Sequence, residues 1–549
     1  MGEEKVNQSD IRDWLIAKIA DILKCPLGDI GVEDNFTALG LDSLSMITLT
    51  GDLAAWLGRD LPATLLLKHP SIEEVAELLT RTPVGELEPK LPHPSRDHPL
   101  PATLSQERLL KHAKLPPERD ANLVNPRFSI RGKLDVEALS RALTEMVHRH
   151  EMLRTTFGVH DGEFFQKVHP VGAAPVEQVD WSSDAVIQSE EDLLKRGRER
   201  IMRPMDVGSL PLFRVLIIKV AEEEHRLMFA FHHLLCDADA LRVFYEELGR
   251  LYSAVLKGFP PALEPLEYQI ADFAVWERDW LRRDGTPYLD RLAWWREYWR
   301  TPPQPPRFPF ALTEPPPSLP PRASTRNVPI DLAIGQQAAD LARQMNVTLY
   351  NVYFAAFVAC LCAQAAVQEV AIGTYVSDRK RVAAGRLMGM FVSMVPVRAE
   401  VPPGITFREL VLRLREEMDR VSLHRELPFE DLVEHLHKMG EEAPQVQVVF
   451  QHVQLPGDTL HLEGTESQRW LEHGQRLETS GLSFSMVGAQ QALELWTSFD
   501  GLLYDPDAVA AFMEGYVDHL RALLSAPEQK LTQESPGEQA GWAGMFGPG

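Results

Sequence analysis

His232-His233-Leu234-Leu235-Cys236-Asp237-Ala238 sets two imidazoles side by side and a carboxylate four positions after the second ring. Imidazole titrates near neutrality, so a loop of this kind can accept the proton of an attacking amine or hydroxyl while a buried carboxylate holds the loop in place. The same residues also suit a plainer role, two histidines packed at the end of a strand. Cys236 reads as a small buried thiol rather than a nucleophile. A second candidate lies far upstream, where LGLDSLS puts Ser43 directly after Asp42 at the start of a helical pattern. Unsatisfied N–H groups and the dipole at a helix N-terminus favour a phosphodiester there, and a serine in that position also serves simply as a cap.

The histidine pair needs a strand to carry it. PLFRVLIIKV (211–220) and RLMFAF (226–231) are rich in β-branched and aromatic residues and are joined by the charged AEEEH, which predicts adjacent antiparallel strands. The second strand ends at His232 and His233. After LLCDAD the pattern returns to helical period, with Leu241, Phe244, Leu248 and Leu251 on one side. Asp135 is placed to cap a helix over VEALSRALTEMVHRH.

Ser43 belongs to a different setting, a first segment of about 82 residues that reads as four short helices. Asp10 is expected to cap the first, whose Ile11, Trp14, Leu15, Ile19 and Ile22 share a face. Leu44, Ile47 and Leu53 mark the second, and Ser71 with Glu74 has capping-box spacing ahead of Val75, Leu78 and Leu79. From 83 to 100 the proline density forbids helix and predicts a stiff linker. Alternating helices and strands from 101 to 528 predict an α/β body in two lobes, at about 101–280 and 281–528, with a second proline cluster at 302–322 dividing them. Residues 529–549 lack periodicity and are expected to be a disordered tail.

Composition narrows the function classes. The 549 residues carry 56 basic and 79 acidic side chains, a formal charge of −23, which argues against nucleic acid as a partner. At about 150 residues per domain the length predicts three or four compact units. Four cysteines without a CxxC pair give neither a disulfide framework nor a zinc-knuckle spacing and fit a reducing, cytoplasmic setting. The start, MGEEKVNQSD, lacks a signal-peptide pattern, and Val352 to Ala363 is short of the roughly 20 apolar residues that span a bilayer, so it is expected to be a core helix and no membrane is expected as a partner. No phosphate-binding glycine loop, nucleophile elbow or HExxH zinc motif occurs.

Two resemblances join these readings. DNFTALG, DSL and LPATLLLKHPSIEEVAELL, in that order, resemble an acyl carrier protein over most of the first 80 residues. The resemblance implies that Ser43 is the attachment point of 4′-phosphopantetheine, whose thiol holds an acyl group as a thioester. The LGLDSL form is closer to carriers of polyketide or fatty acyl chains than to peptidyl carriers. From Pro101 to Leu524 the chain resembles the condensation domains of nonribosomal peptide synthetases, relatives of chloramphenicol acetyltransferase. LSQERLL (104–110), RHEMLRTTF (149–157), FHHLLCDA (231–238), YQIADFAVW (268–276), GTYVSDR (373–379), MGMFVSMVPVR (388–398) and HRELPFEDLV (424–433) carry that resemblance.

The implied fold is an all-α four-helix carrier followed by a two-lobed, chloramphenicol acetyltransferase-like α/β sandwich. The resemblance implies that His233 is the catalytic base or orienting group and that His232 packs. It also implies that Asp237 is structural and pairs with Arg379. Two departures stand out: Ala238 replaces a glycine, predicting a narrower tunnel, and Ser393 replaces an asparagine. The implied activity is acyl transfer from the Ser43 arm to an amine, forming an amide. An ester with a hydroxyl acceptor, or a catalytically idle platform that recruits enzymes, are the alternatives. The implied partners are a phosphopantetheinyl transferase, an upstream loading enzyme or synthetase module, and a downstream carrier-bound or free acceptor.

Overall fold

Asn7 and Asp10 exchange backbone-to-side-chain hydrogen bonds at 2.9 and 3.1 Å, which starts the first helix of the chain in the computed structural model. The structure describes residues 7–23, 25–34, 36, 39, 41, 43–57, 61, 65–69, 71–81, 91–112, 122–184, 189–260, 263–282, 285–312, 323–377, 379, 385–453, 460–470, 481–488 and 493–531. The chain forms two compact units, Met1–Pro92 with Ser377–Gly385, and His93–Val376 with Arg386–Gly549. Length alone predicted three or four. The larger unit keeps two lobes together as one body.

In the first unit, helices α1 (Gln8–Leu23), α2 (Ser43–Leu57), α3 (Leu65–Lys68) and α4 (Ile72–Arg81) enclose a small core of Ile11, Leu15, Ile19, Phe36, Leu41, Leu49, Leu53, Val75 and Leu79. Asp10 proves to lie inside the first turn of α1, and Asn7 is the cap, because their reciprocal bonds need Asp10 at the third helical position. Ile22 faces solvent, while Trp14 stacks on Trp56 at 5.3 Å. Ser71 caps α4 as its spacing indicates, its Oγ accepting the Glu74 N–H at 3.2 Å.

The second unit begins before the sequence suggests. His93 stacks on Tyr268 and Arg96 pairs with Asp272 at 2.8 Å and Glu151 at 2.9 Å, so the later part of the proline-rich linker is packed rather than a free spacer. The first lobe comprises β1 (Leu100–Pro101), α5 (Leu104–His112), β2 (Leu123–Val124), β3 (Arg127–Gly132), α6 (Val136–Arg149), β4 (Thr155–His160), β5 (Glu163–Val168), β6 (Val176–Asp180), α7 (Glu190–Ile201), β7 (Phe213–Ala221), β8 (Glu224–His232), α8 (Ala238–Lys257) and α9 (Ile270–Trp280). The second lobe follows with α10 (Thr286–Tyr298), β9 (Ala323–Ile330), α11 (Leu332–Met345), α12 (Leu349–Ala365), β10 (Glu369–Ser377), β11 (Val392–Glu400), α13 (Phe407–Ser422), α14 (Phe429–Met439), β12 (Val449–Val453), β13 (Thr465–Arg469), β14 (Leu482–Gly488), β15 (Leu493–Asp500) and α15 (Pro506–Ser525).

Each lobe has a mixed six-stranded sheet. The first runs β13-β3-β8-β7-β6, with β2 beside the end of β8; the second runs β11-β10-β12-β14-β15-β9, and β1-β5-β4 forms a smaller sheet. β7 and β8 pair antiparallel as expected, while β6 runs parallel to β7. β8 is buried along almost its whole length, which is why its sequence is a continuous apolar run rather than an alternation. α12 is buried all round in the second-lobe core, and among the described residues no single helix is long and apolar enough to cross a membrane.

Two sequence expectations yield here. The proline cluster does not divide the lobes, because α10 before it already places Leu292 and Trp295 in the second-lobe core beside Phe308 and Phe310. β13 belongs to the second lobe in sequence, yet pairs with β3 of the first through Thr465↔Gly132 to Arg469↔Phe128. That approach requires glycine at 132, with φ +108°, where a Cβ would stand 2.8 Å from the Gly464 carbonyl oxygen. The tail is ordered as far as Leu531, whose N–H donates to Ile405 O at 2.8 Å; residues 532–549 lie outside the described residues.

Burial pushes the His519 imidazole of α15 down to about 4. The His424 ring, stacked on Trp294 at 3.9 Å, is lowered to about 4 by burial and then by Arg291. Native rings with depressed values refuse protons that the unfolded chain accepts below its ordinary value of about 6.5. The second unit is therefore expected to keep full stability above about pH 6.5 and to lose it progressively as pH falls toward 4. Urea midpoints at pH 7.5, 6.5 and 5.5 measure the slope, and His519→Gln should flatten it; an unchanged slope would remove His519 from the account.

Candidate active site

β8 delivers the histidine pair, and a single tight turn separates their fates. His232 ends the strand fully buried; its N–H donates to Leu212 O at 2.9 Å and its Nδ1 accepts the Leu234 N–H at 3.2 Å. The next three residues, His233–Leu235, wind into a short 3-10 turn. His233 is partly exposed and held at both ends: its N–H donates to Asn122 O at 2.6 Å and its Nδ1 lies 2.7 Å from Cys236 O. A carbonyl oxygen only accepts, so Nδ1 carries the ring hydrogen, and in the neutral imidazole the lone pair then resides on Nε2. The geometry thus selects the tautomer that a proton acceptor at Nε2 needs.

Cys236 is buried, as a small apolar thiol would be, and its backbone carbonyl orients His233. Asp237 follows in extended conformation and caps α8, its Oδ1 accepting the Ala240 N–H at 2.8 Å. Its Oδ2 accepts the Phe391 N–H at 3.0 Å and so ties the histidine turn to the segment that enters β11 in the other lobe. Gly389, at φ +147°, lets that segment pass Ile270, against which any Cβ would collide. Ala238 opens α8 exposed to solvent and without positive φ, so the backbone itself does not demand glycine there. Ser393 is 3.1 Å from Ser105 Oγ of α5, so the hydroxyl found in place of the family's amide makes a link between the lobes.

Farther back, Glu247 of α8 receives Arg149 through two bonds at 2.8 and 3.0 Å and His150 Nε2 at 2.7 Å. Burial lowers the His150 value more than the Glu247 carboxylate raises it, and its Nε2 faces that carboxylate. These contacts anchor α8, and with it the cap at Asp237, to the end of α6. Arg379 is buried within the segment grouped with the first unit, and its N–H donates to Ser377 Oγ at 3.4 Å. Among the described residues no group of His, Cys, Asp or Glu could hold a metal ion.

Ser43 opens α2, the position at which helix N–H groups lack intrahelical partners. Asp42 and the side chains of Ser43, Leu44 and Ile47 lie outside the described residues. The sequence brought His232, His233, Asp237 and Ala238 to one turn, and the structure adds Cys236 O, Phe391 N–H, Ser105 and Glu247. The backbone groups have no side-chain signature. Glu247 did carry one, a carboxylate beside Phe244, Leu248 and Leu251 on the apolar face of α8.

Residues 13–79 match the model of a phosphopantetheine attachment site, and residues 97–540 match that of a condensation domain. A linear gramicidin synthase of Brevibacillus parabrevis is 27% identical over 537 residues, covering 96% of this chain and 10% of the synthase. The chain spans a tenth or less of the length of the first curated relatives it matches. Among solved structures, the X-domain from teicoplanin biosynthesis is 26% identical with a TM-score of 0.69, over 81% of this chain and 99% of that one. The X-domain in its complex with OxyB is 25% identical with a TM-score of 0.68, over 82% and 99%. With a condensation-domain match over well more than half its length, preceded by a phosphopantetheine attachment domain, the chain belongs to the condensation-domain family of nonribosomal peptide synthetases.

Proposed function

We propose that the chain transfers an acyl group from a thioester on the Ser43 arm to an amine, forming an amide, with His233 as the proton acceptor. The observation that carries this reading is the 2.7 Å contact of His233 Nδ1 with Cys236 O, which leaves Nε2 as the basic nitrogen. Ser43 fits the attachment role because it is the first residue of a 15-residue helix, where a phosphodiester gains from the N-terminal N–H groups. When bound, 4′-phosphopantetheine supplies a thioester, an acyl group already activated for transfer. Attack forms the C–N bond and breaks the C–S bond. His233 Nε2 takes the ammonium proton and returns it to the departing sulfur, so no net proton is consumed. Positioning and one base suffice, with neither metal nor covalent enzyme nucleophile required.

In this reading His232 and Asp237 hold the turn. Asp237 is then structural, since removing it would uncap α8 and orphan the Phe391 N–H. A phosphopantetheinyl transferase would install the arm, an upstream module would load it, and a carrier-bound or free acceptor would receive the acyl group. A cytoplasmic setting is part of this reading. A hydroxyl acceptor would use the same base and yield an ester. The likeness to an X-domain seen in complex with OxyB favours one other reading, a platform that recruits an enzyme to the carrier.

Three outcomes are expected. A phosphopantetheinyl transferase with coenzyme A should add one arm to the native chain and none to Ser43→Ala, read by intact-protein mass; equal labelling removes Ser43. On an acyl-loaded chain, His233→Ala should leave loading intact and slow transfer to a panel of amines and alcohols by about 10²–10⁴-fold. Undiminished transfer would remove His233 from catalysis, and transfer to neither acceptor class by the native chain would favour the platform. Asp237→Ala should lower stability by about 2–4 kcal/mol in urea denaturation, a lost cap plus a buried orphan N–H. Asp237→Asn, which still caps, should lose less, and equal losses would refute the capping role.

A further inference from the structure

Gln106 is fully buried at the start of α5. Its Oε1 accepts the Thr103 N–H at 3.0 Å while its own N–H donates to Thr103 Oγ1 at 3.1 Å, a reciprocal capping box. A glutamate would complete that box equally well and would also suit the positive end of the helix dipole. What only the amide offers is a donor, and its Nε2 spends both hydrogens elsewhere. One reaches Leu234 O at 3.3 Å, in the turn that carries His233, and the other points to Met152 Sδ at 3.7 Å. One buried side chain therefore joins three separated stretches, 104–110, 149–157 and 231–238. Ser105 beside it bonds Ser393 of β11.

We propose that Gln106 is a positioning residue for His233: its amide holds the Leu234 carbonyl, and with it the turn that aims the imidazole and fixes its tautomer. This rests on the role assigned above to His233. The Leu234 carbonyl is held from one side by this amide, the Leu234 N–H is held by His232 Nδ1, and Cys236 O closes on the ring. Loss of the Gln106 donor would leave a buried carbonyl facing an apolar or repelling group, which the turn can relieve only by rotating. That rotation would carry the His233 ring off the Cys236 carbonyl, and the ring hydrogen would then be shared between its two nitrogens.

The test uses the full chain with ¹⁵N-labelled histidine, native and as Gln106→Glu and Gln106→Met, the His233 ring signals being assigned by their loss in His233→Ala. Gln106→Glu keeps the cap and the volume and replaces the amide donor with a carboxylate oxygen, Gln106→Met removes the donor without adding charge, and each variant's thermal transition confirms that it is folded. The native ring should show the Nδ1–H tautomer. Both variants should show averaging of the two His233 ring nitrogens while other histidine signals stay in place, with acyl transfer slowed about ten- to hundred-fold and the acceptor KM changed less than twofold. An unchanged His233 signal in Gln106→Glu would overturn the proposal, whatever the transfer rate. Full transfer by His233→Ala would instead overturn the role of His233, and the ring signals would still decide whether Gln106 orients it.

Discussion

A backbone carbonyl has no proton to give, and the placement of Cys236 O against His233 Nδ1 makes that simple fact govern the site. It determines which nitrogen carries the hydrogen and therefore which can receive one. The carbonyl is where it is because Cys236 is buried and Asp237 leaves it in extended conformation to cap α8. A turn of three residues thus takes the chain from a buried strand end to a partly exposed imidazole. His232 and His233 are adjacent in sequence and identical in chemistry, and only the turn after β8 separates the buried ring from the partly exposed one.

The turn is held from both lobes. Asp237 reaches Phe391 at the entrance to β11, Ser105 reaches Ser393 within it, and β13 returns from the second lobe to extend the sheet that contains β8. Each link joins residues far apart in sequence, and each is short and polar or a backbone ladder, so small changes in lobe placement bear directly on the ring. Four of the stretches that resemble family motifs, 104–110, 149–157, 231–238 and 388–398, meet here for that reason. Gln106 and the Phe391 N–H each satisfy a buried partner in that turn.

Local signals were legible where local physics dominates. The antiparallel pair β7 and β8, the caps at Asp135 and Ser71, and the apolar face of α8 follow from residue types a few positions apart. The failures are equally specific. Asp10 looked like a cap because aspartate favours that position, but the reciprocal bond with Asn7 moves the helix start back. The cluster at 302–322 looked like a lobe boundary because proline breaks regular structure. Packing of Trp295, Phe308 and Phe310 into one core overrides that local preference.

By itself the sequence determined the order of elements, the family resemblance and the candidacy of Ser43, His233 and Asp237, because these depend on residue type, spacing and local propensity. Only the tertiary structure decided which His233 nitrogen carries the ring hydrogen, that Ala238 needs no glycine backbone, that Ser393 bonds Ser105, and that the Gln106 amide grips the histidine turn. Those outcomes hang on backbone carbonyls and N–H groups brought together from distant segments. Every residue carries such groups alike, so no pattern of side chains announces where they will meet.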